Sequence, residues 1–233
     1  MYKVDSTEKE LRLKVAQCCR MLEHIGLIDF SGHVSARIPG TDTVLINGWG
    51  AERCELTEKD IVKVDLFANL IEGNDKPPSE TRIHTSIYRR RPDVLAIAHL
   101  HPPVTTGLFI AEKEWLPVIY HGSIFAAGIP VYDDSRHVNS DERSDRLAVT
   151  LGNARVAIIR GHGCVVATES IESCFFASVY LEDNAHKLNQ AYLLGKPKAL
   201  PKAELEEGYK SIWKANQFDK VWRYYYLKSK INF

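Results

Sequence analysis

The chain has 233 residues, 45% hydrophobic and 26% charged, and its thirty basic and thirty acidic residues cancel. That balance belongs to a folded globular protein. It excludes a basic nucleic-acid binder, a polybasic membrane anchor and an acidic disordered tail, and no apolar run approaches the roughly 20 residues of a membrane span.

The opening MYKVDSTEKELRLK has no apolar stretch ahead of small residues, so no secretory signal is read there. Five cysteines without a CxxC spacing read as reduced, mostly buried residues of a cytoplasmic protein. With no internal repeat and no Gly/Ser-rich linker, residues 1–233 read as one domain.

A first helix is expected over about residues 6–25. Thr7 and Glu10 make a capping box, Leu11, Val15, Cys18, Cys19 and Leu22 recur at helical spacing, and Gly26 stands where the helix ends. Strand-like runs follow at 33–38, 44–47 and 61–66, with a capped turn at 57–60 before the third. Lys76-Pro77-Pro78 breaks the chain, and residues 80–91 read as a helix stopped by Pro92. VLAIAHLH, residues 94–101, is an apolar strand ended by Pro102 and Pro103, which leaves its histidines at a sheet edge. RVAIIR, 155–160, is a second buried strand running into Gly161-His162-Gly163. A long helix over 168–194 ends at Gly195 and Pro197, and an aromatic, helical tail occupies about 200–233. The early strands stand too close together for strict βαβ alternation, so the expected fold is α/β with a mixed sheet and helices packed on it.

The chemistry concentrates in a few residues. His99 and His101 alternate onto one face of their strand, where both imidazoles can chelate one divalent ion. His162, between two glycines at another strand end, completes a facial set of three nitrogens with open positions, a catalytic rather than a structural pattern. Glu80, at a helix start, is either a proton acceptor or a ligand displaced by substrate, set against an ordinary acidic residue at a helix N-terminus. Arg37 or Arg160 offers a guanidinium to a spare carboxylate.

The segments Gly32-His33-Val34-Ser35, Pro78-Ser79-Glu80, Ala98-His99-Leu100-His101-Pro102 and Arg160-Gly161-His162-Gly163 together resemble the class II aldolase/adducin family, over about residues 8–195. The resemblance implies a three-layer α/β/α fold around a central mixed, largely antiparallel sheet. It also implies one divalent metal ion per subunit (zinc, manganese, iron or cobalt) on His99, His101 and His162, with Glu80 as acid/base. His33, Ser35, Arg37 and Ser79 stand where substrate is bound, and the assembly implied is a homotetramer with active sites between subunits. His121 falls where the family's aldolases carry a tyrosine proton donor; it reads equally as a proton shuttle and as a structural hydrogen-bonder.

His33 and Pro78 replace two phosphate contacts of the sugar-phosphate aldolases, and no TPSG-like loop follows Asn47. The GHVS, INxWG and RGHGC segments and the YLEDNAHKLNQA helix are instead similar to the family's decarboxylases of hydroxylated aromatic or pyridine dicarboxylates. The function implied is a metal-dependent carbon–carbon lyase that decarboxylates a small-molecule hydroxylated (di)carboxylate through an enolate-like state. The alternatives are an aldolase or epimerase on a small hydroxy acid or sugar phosphate, and a non-enzymatic adducin-like domain.

Overall fold

The computed structural model describes residues 7–229. Ser6, the expected start of the first helix, and residues 230–233, the end of the expected helical tail, lie outside the described residues. The first helix, α1 (Glu8–His24), starts as its sequence dictates. The Thr7 hydroxyl accepts the Glu10 N–H, and the Glu10 carboxylate accepts the Thr7 N–H.

Eight strands follow: β1 (His33–Arg37), β2 (Thr43–Asn47), β3 (Ile61–Asp65), β4 (Leu70–Glu72), β5 (Ala96–Leu100), β6 (Val131–Tyr132), β7 (Val156–Ile159) and β8 (Gly163–Thr168). They form one sheet in the order β4-β3-β2-β1-β5-β8-β7-β6, antiparallel throughout except for the β6–β7 pair. The mixed, largely antiparallel sheet expected from the sequence is the one observed. β5 is a central strand, so His99 and His101 stand at a strand end in mid-sheet and not at a sheet edge.

Strand alternation divides the core in two. Val34, Ala36, Leu45, Ala96, Ala98, Leu100, Cys164 and Val166 pack toward α1, α5 (Ile171–Leu194) and α7 (Ala215–Lys228). Val44, Ile46, Ile97, Val165 and Ala167 pack toward α2 (Thr81–Arg90) and α4 (Asp141–Leu151). The layers are therefore helix, sheet, helix.

The sequence reading passed over β4, β6, β8 and α4, and over two features that change how the site is held. Pro103 opens α3 (Pro103–Ile110), because a proline at a first helical position lacks only an N–H that would be unpaired anyway. The tail is two helices, α6 (Lys202–Ile212) and α7, interrupted at Trp213 and Lys214.

No polar side chain within α3's own first turn caps it. Glu182, buried on α5, does so instead: its carboxylate accepts the Val104 N–H (2.8 Å), the Thr105 N–H (2.9 Å) and the Thr105 hydroxyl (2.7 Å). Because α3 begins two residues after His101, this carboxylate anchors the turn that carries the histidine. Glu182→Ala strands the buried Thr105 N–H and the part-buried Val104 N–H, and urea unfolding followed by circular dichroism is expected to show a loss of about 2–4 kcal/mol.

Candidate metal centre

His33 and His99 are direct cross-strand partners on β1 and β5, and both face the α2–α4 layer. His101 continues the same alternation beyond Leu100. His162 sits in the tight turn from β7 to β8, where Gly161 takes a φ of 64°. Gly163 has no room for a side chain: a Cβ there would overlap the Leu100 carbonyl oxygen and lie 2.8 Å from the His101 ring. The two glycines thus bring His162 against His101, and the two rings stack at 5.5 Å between centroids.

Ring-nitrogen positions suit a cation. The His99 Nδ1–H donates to the Cys164 carbonyl (3.1 Å), which leaves Nε2 bare. That Nε2 stands 3.2 Å from His101 Nε2. His101 Nδ1 in turn faces the Ser31 hydroxyl at 3.2 Å and the Asp29 carboxylate at 3.9 Å. Two imidazole lone pairs so close repel each other, and a shared cation relieves the repulsion. Nitrogens bound at about 2.0–2.1 Å on a tetrahedral ion stand about 3.3 Å apart.

Ligand atoms of His99, His101 and His162 lie within 4.8 Å of one another, as do those of His33, Glu80 and His99. His162 also keeps a buried Nδ1 without a hydrogen-bond partner. Burial, with the neighbouring rings adding to it, holds the His99 imidazole well below its usual pKa; burial likewise lowers His162 against the opposing pull of Glu80. Neutral imidazole is the form a metal requires.

Glu80 is the N-cap residue of α2 but does not cap it with its side chain. Its Oε1 accepts the Val138 N–H at 2.6 Å. Its Oε2 faces three imidazoles: His137 Nδ1 at 3.6 Å, and His99 Nε2 and His162 Nε2 at 3.7 Å each. A carboxylate so placed, with one oxygen tethered and one free beside the histidines, can take up or deliver a proton.

The other expected residues divide. His33 joins the cluster, its ring 5.0 Å from that of His99. Ser79 is exposed beside Glu80. Ser35 is wholly buried, and its hydroxyl is occupied by His84 and Tyr88, so it reaches no ligand directly. Arg37 stands apart at the far end of β1, where it bonds to the Thr41 and Tyr88 carbonyls and the Asp42 carboxylate. There it lines a cavity of about 640 Å³ with Trp213 and Phe218, remote from the histidines. Arg160 is paired with Asp133. His121 lies outside this chain's cluster, stacked on Tyr180 at 4.0 Å and lowered in pKa by burial.

His84 and His137 are additions that the sequence reading missed. His84 was legible in principle, since Glu80, His84 and Tyr88 recur every four residues on one face of α2. His137, 74% exposed in an irregular loop, carries no periodic signal.

A family model described as the class II aldolase and adducin N-terminal domain matches residues 13–188. The chain is 32% identical over 216 residues to 3,4-dihydroxyphthalate decarboxylase of Arthrobacter keyseri, covering 86% of this chain and 87% of that one. It is 29% identical to 5-deoxy-D-ribulose 1-phosphate aldolase of Bacillus thuringiensis serovar kurstaki, over 70% and 76% of the respective chains. In fold it matches an aldolase II superfamily protein from Pseudomonas syringae with a TM-score of 0.86 at 24% identity, over 98% of this chain and 95% of that one.

Proposed function

The chain belongs to the class II aldolase and adducin family and is a carbon–carbon lyase, and on that premise we propose that it decarboxylates a hydroxylated aromatic or heteroaromatic dicarboxylate with one divalent ion per subunit. The observation that carries the reading is the convergence of three imidazoles with one free carboxylate oxygen of Glu80. The choice of decarboxylation over aldol cleavage leans on the 32% identity to a dihydroxyphthalate decarboxylase.

His99, His101 and His162 would hold the ion, which when bound supplies Lewis-acid stabilisation of the negative charge that develops as the carbon–carbon bond breaks. The protein's own groups do the rest. Glu80 Oε2 exchanges the proton at the carbon that loses CO2, and the Val138 N–H holds the carboxylate in that orientation. His33 and the exposed Ser79 offer hydrogen bonds to the part of the substrate away from the breaking bond. Arg37, engaged at the other end of β1, takes no part. His121 serves a neighbouring subunit's site in a homotetramer, or helps hold the subunits together. Residues 1–233 act as one domain, and the setting is cytoplasmic. Among the described residues no helix is long and apolar enough to cross a membrane.

Metal analysis of the purified protein, paired with CO2 release from hydroxylated benzene and pyridine dicarboxylates, tests the reading. Near-stoichiometric metal with CO2 release is the expected result, abolished by chelation and restored by adding the ion back. Metal without CO2, but with cleavage of a sugar phosphate to carbonyl products, replaces decarboxylation by aldol chemistry, the activity named for the Bacillus relative. No metal after adding back divalent ions refutes both.

A further inference from the structure

A run of buried hydrogen bonds leads away from the metal centre into the α2 layer. His33 Nδ1 lies 2.6 Å from His84 Nε2, and His84 Nδ1 lies 2.6 Å from the Ser35 hydroxyl. That hydroxyl lies 2.8 Å from the Tyr88 hydroxyl. The run is built by the meeting of two periods: His84 and Tyr88 are one turn apart on α2, while His33 and Ser35 are two apart on β1. All four side chains are buried.

Proton bookkeeping gives the run a single direction. Among the described residues, the Ser35 oxygen is the one acceptor within reach of the Tyr88 proton, so Tyr88 donates to Ser35. The Ser35 proton then has only His84 Nδ1 to go to. Both rings are buried and neither has a carboxylate partner among the described residues, so neither sustains a charge there and each carries one proton. His84 therefore bears its hydrogen on Nε2 and donates it to His33 Nδ1. His33 is left with its hydrogen on Nε2, the nitrogen free of the run.

We propose that Tyr88, Ser35, His84 and His33 form a one-way hydrogen-bond chain that fixes His33 as a permanent N–H donor to an anionic oxygen of the substrate and removes it from the metal-ligand set. His33 is the specificity-determining residue, and Tyr88, Ser35 and His84 are positioning residues. The ligand class is a dicarboxylate, whose second carboxylate accepts the His33 N–H. The local charge agrees. Arg53, buried beside the start of β1, donates to the Gly32, Gly48 and Ala51 carbonyls and has no carboxylate within 4.0 Å among the described residues. A guanidinium held by carbonyls at the start of β1 gives that end of the strand a field that favours an anion. A donor so fixed also penalises a ligand that brings no acceptor, because the N–H is then left unpaired.

This inference deepens the proposed function, so its test separates the two. Long-range proton–nitrogen NMR of the metal-free, histidine-labelled protein, assigned with His33→Gln and His84→Gln, should show both rings protonated on Nε2. Tyr88→Phe, which removes the proton that sets the direction, should give mixed tautomers. His33 protonated on Nδ1 overturns the chain. In zinc titrations His33→Gln should keep the wild-type stoichiometry; loss of zinc makes His33 a ligand and refutes the assignment. Calorimetry of the zinc-loaded protein with phthalate and benzoate reads the subsite. His33→Ala should weaken phthalate by roughly 10- to 100-fold with little change for benzoate, and His33→Gln should recover part of the loss. Equal weakening of both, or no phthalate binding to the wild type, overturns the subsite. A wild type that takes up neither zinc nor manganese, iron or cobalt refutes the metal-dependent reading, while the tautomers still judge the relay by themselves.

Discussion

Replacing His99 by alanine is expected to leave a folded protein that neither retains a divalent ion nor turns over. His99 is fully buried at the centre of the cluster, with its Nδ1–H spent on the Cys164 carbonyl and its Nε2 presented to His101. Alanine removes the nitrogen common to both groups of converging ligand atoms. A Lewis acid supplies several kcal/mol of stabilisation at a developing oxyanion, so turnover should fall about 10³-fold or more. The check is metal content by elemental analysis beside CO2 release, with circular dichroism to verify the fold. Excess zinc or manganese should fail to rescue the variant. Wild-type turnover in a metal-free preparation of it would sink the scheme.

The second large effect is expected at Glu80→Gln, and it separates two roles that the sequence left open. The glutamine carbonyl can still accept the Val138 N–H, so the loop that carries His137 keeps its anchor. The other oxygen, 3.6–3.7 Å from three imidazole nitrogens, becomes an amide that cannot take up a proton. If Glu80 is the acid/base, metal stoichiometry stays at the wild-type value and turnover falls about 10²- to 10⁴-fold. Loss of the metal together with the activity would make Glu80 a ligand.

What the sequence made legible, and what it hid, follows from where each signal resides. Helix α1 was readable because its start is written in two residues, Thr7 and Glu10, and its core face in a 3.6-residue period. The HxH pair and the GHG turn were readable for the same reason, as spacing within a strand and glycines at a turn. The misses are cases where the deciding partner is remote. Pro102 and Pro103 read as a stop because the carboxylate that caps α3, Glu182, stands on another helix. Strand β8 was hidden because its tight pairing with β7, Ile159 opposite Gly163, leaves a turn with no loop residues to spare. Arg37 reads as a substrate residue on one dimension, yet four residues along an extended strand carry it to the other end of the sheet.

The central place of β5 has a consequence for how the protein comes into being. During synthesis the first five strands leave the ribosome together, and β5 can pair at once with β1. Its other edge then stays open until β8 arrives, since no earlier strand is its neighbour there. The nascent sheet therefore passes through a stage with unpaired backbone groups along its middle strand, the kind of edge that joins wrongly to a second chain. Residue 162 emerges with the strand that closes it. An ion held by His99, His101 and His162 would not complete its coordination before that closure, so it would act as a seal on a finished sheet and not as a template for one.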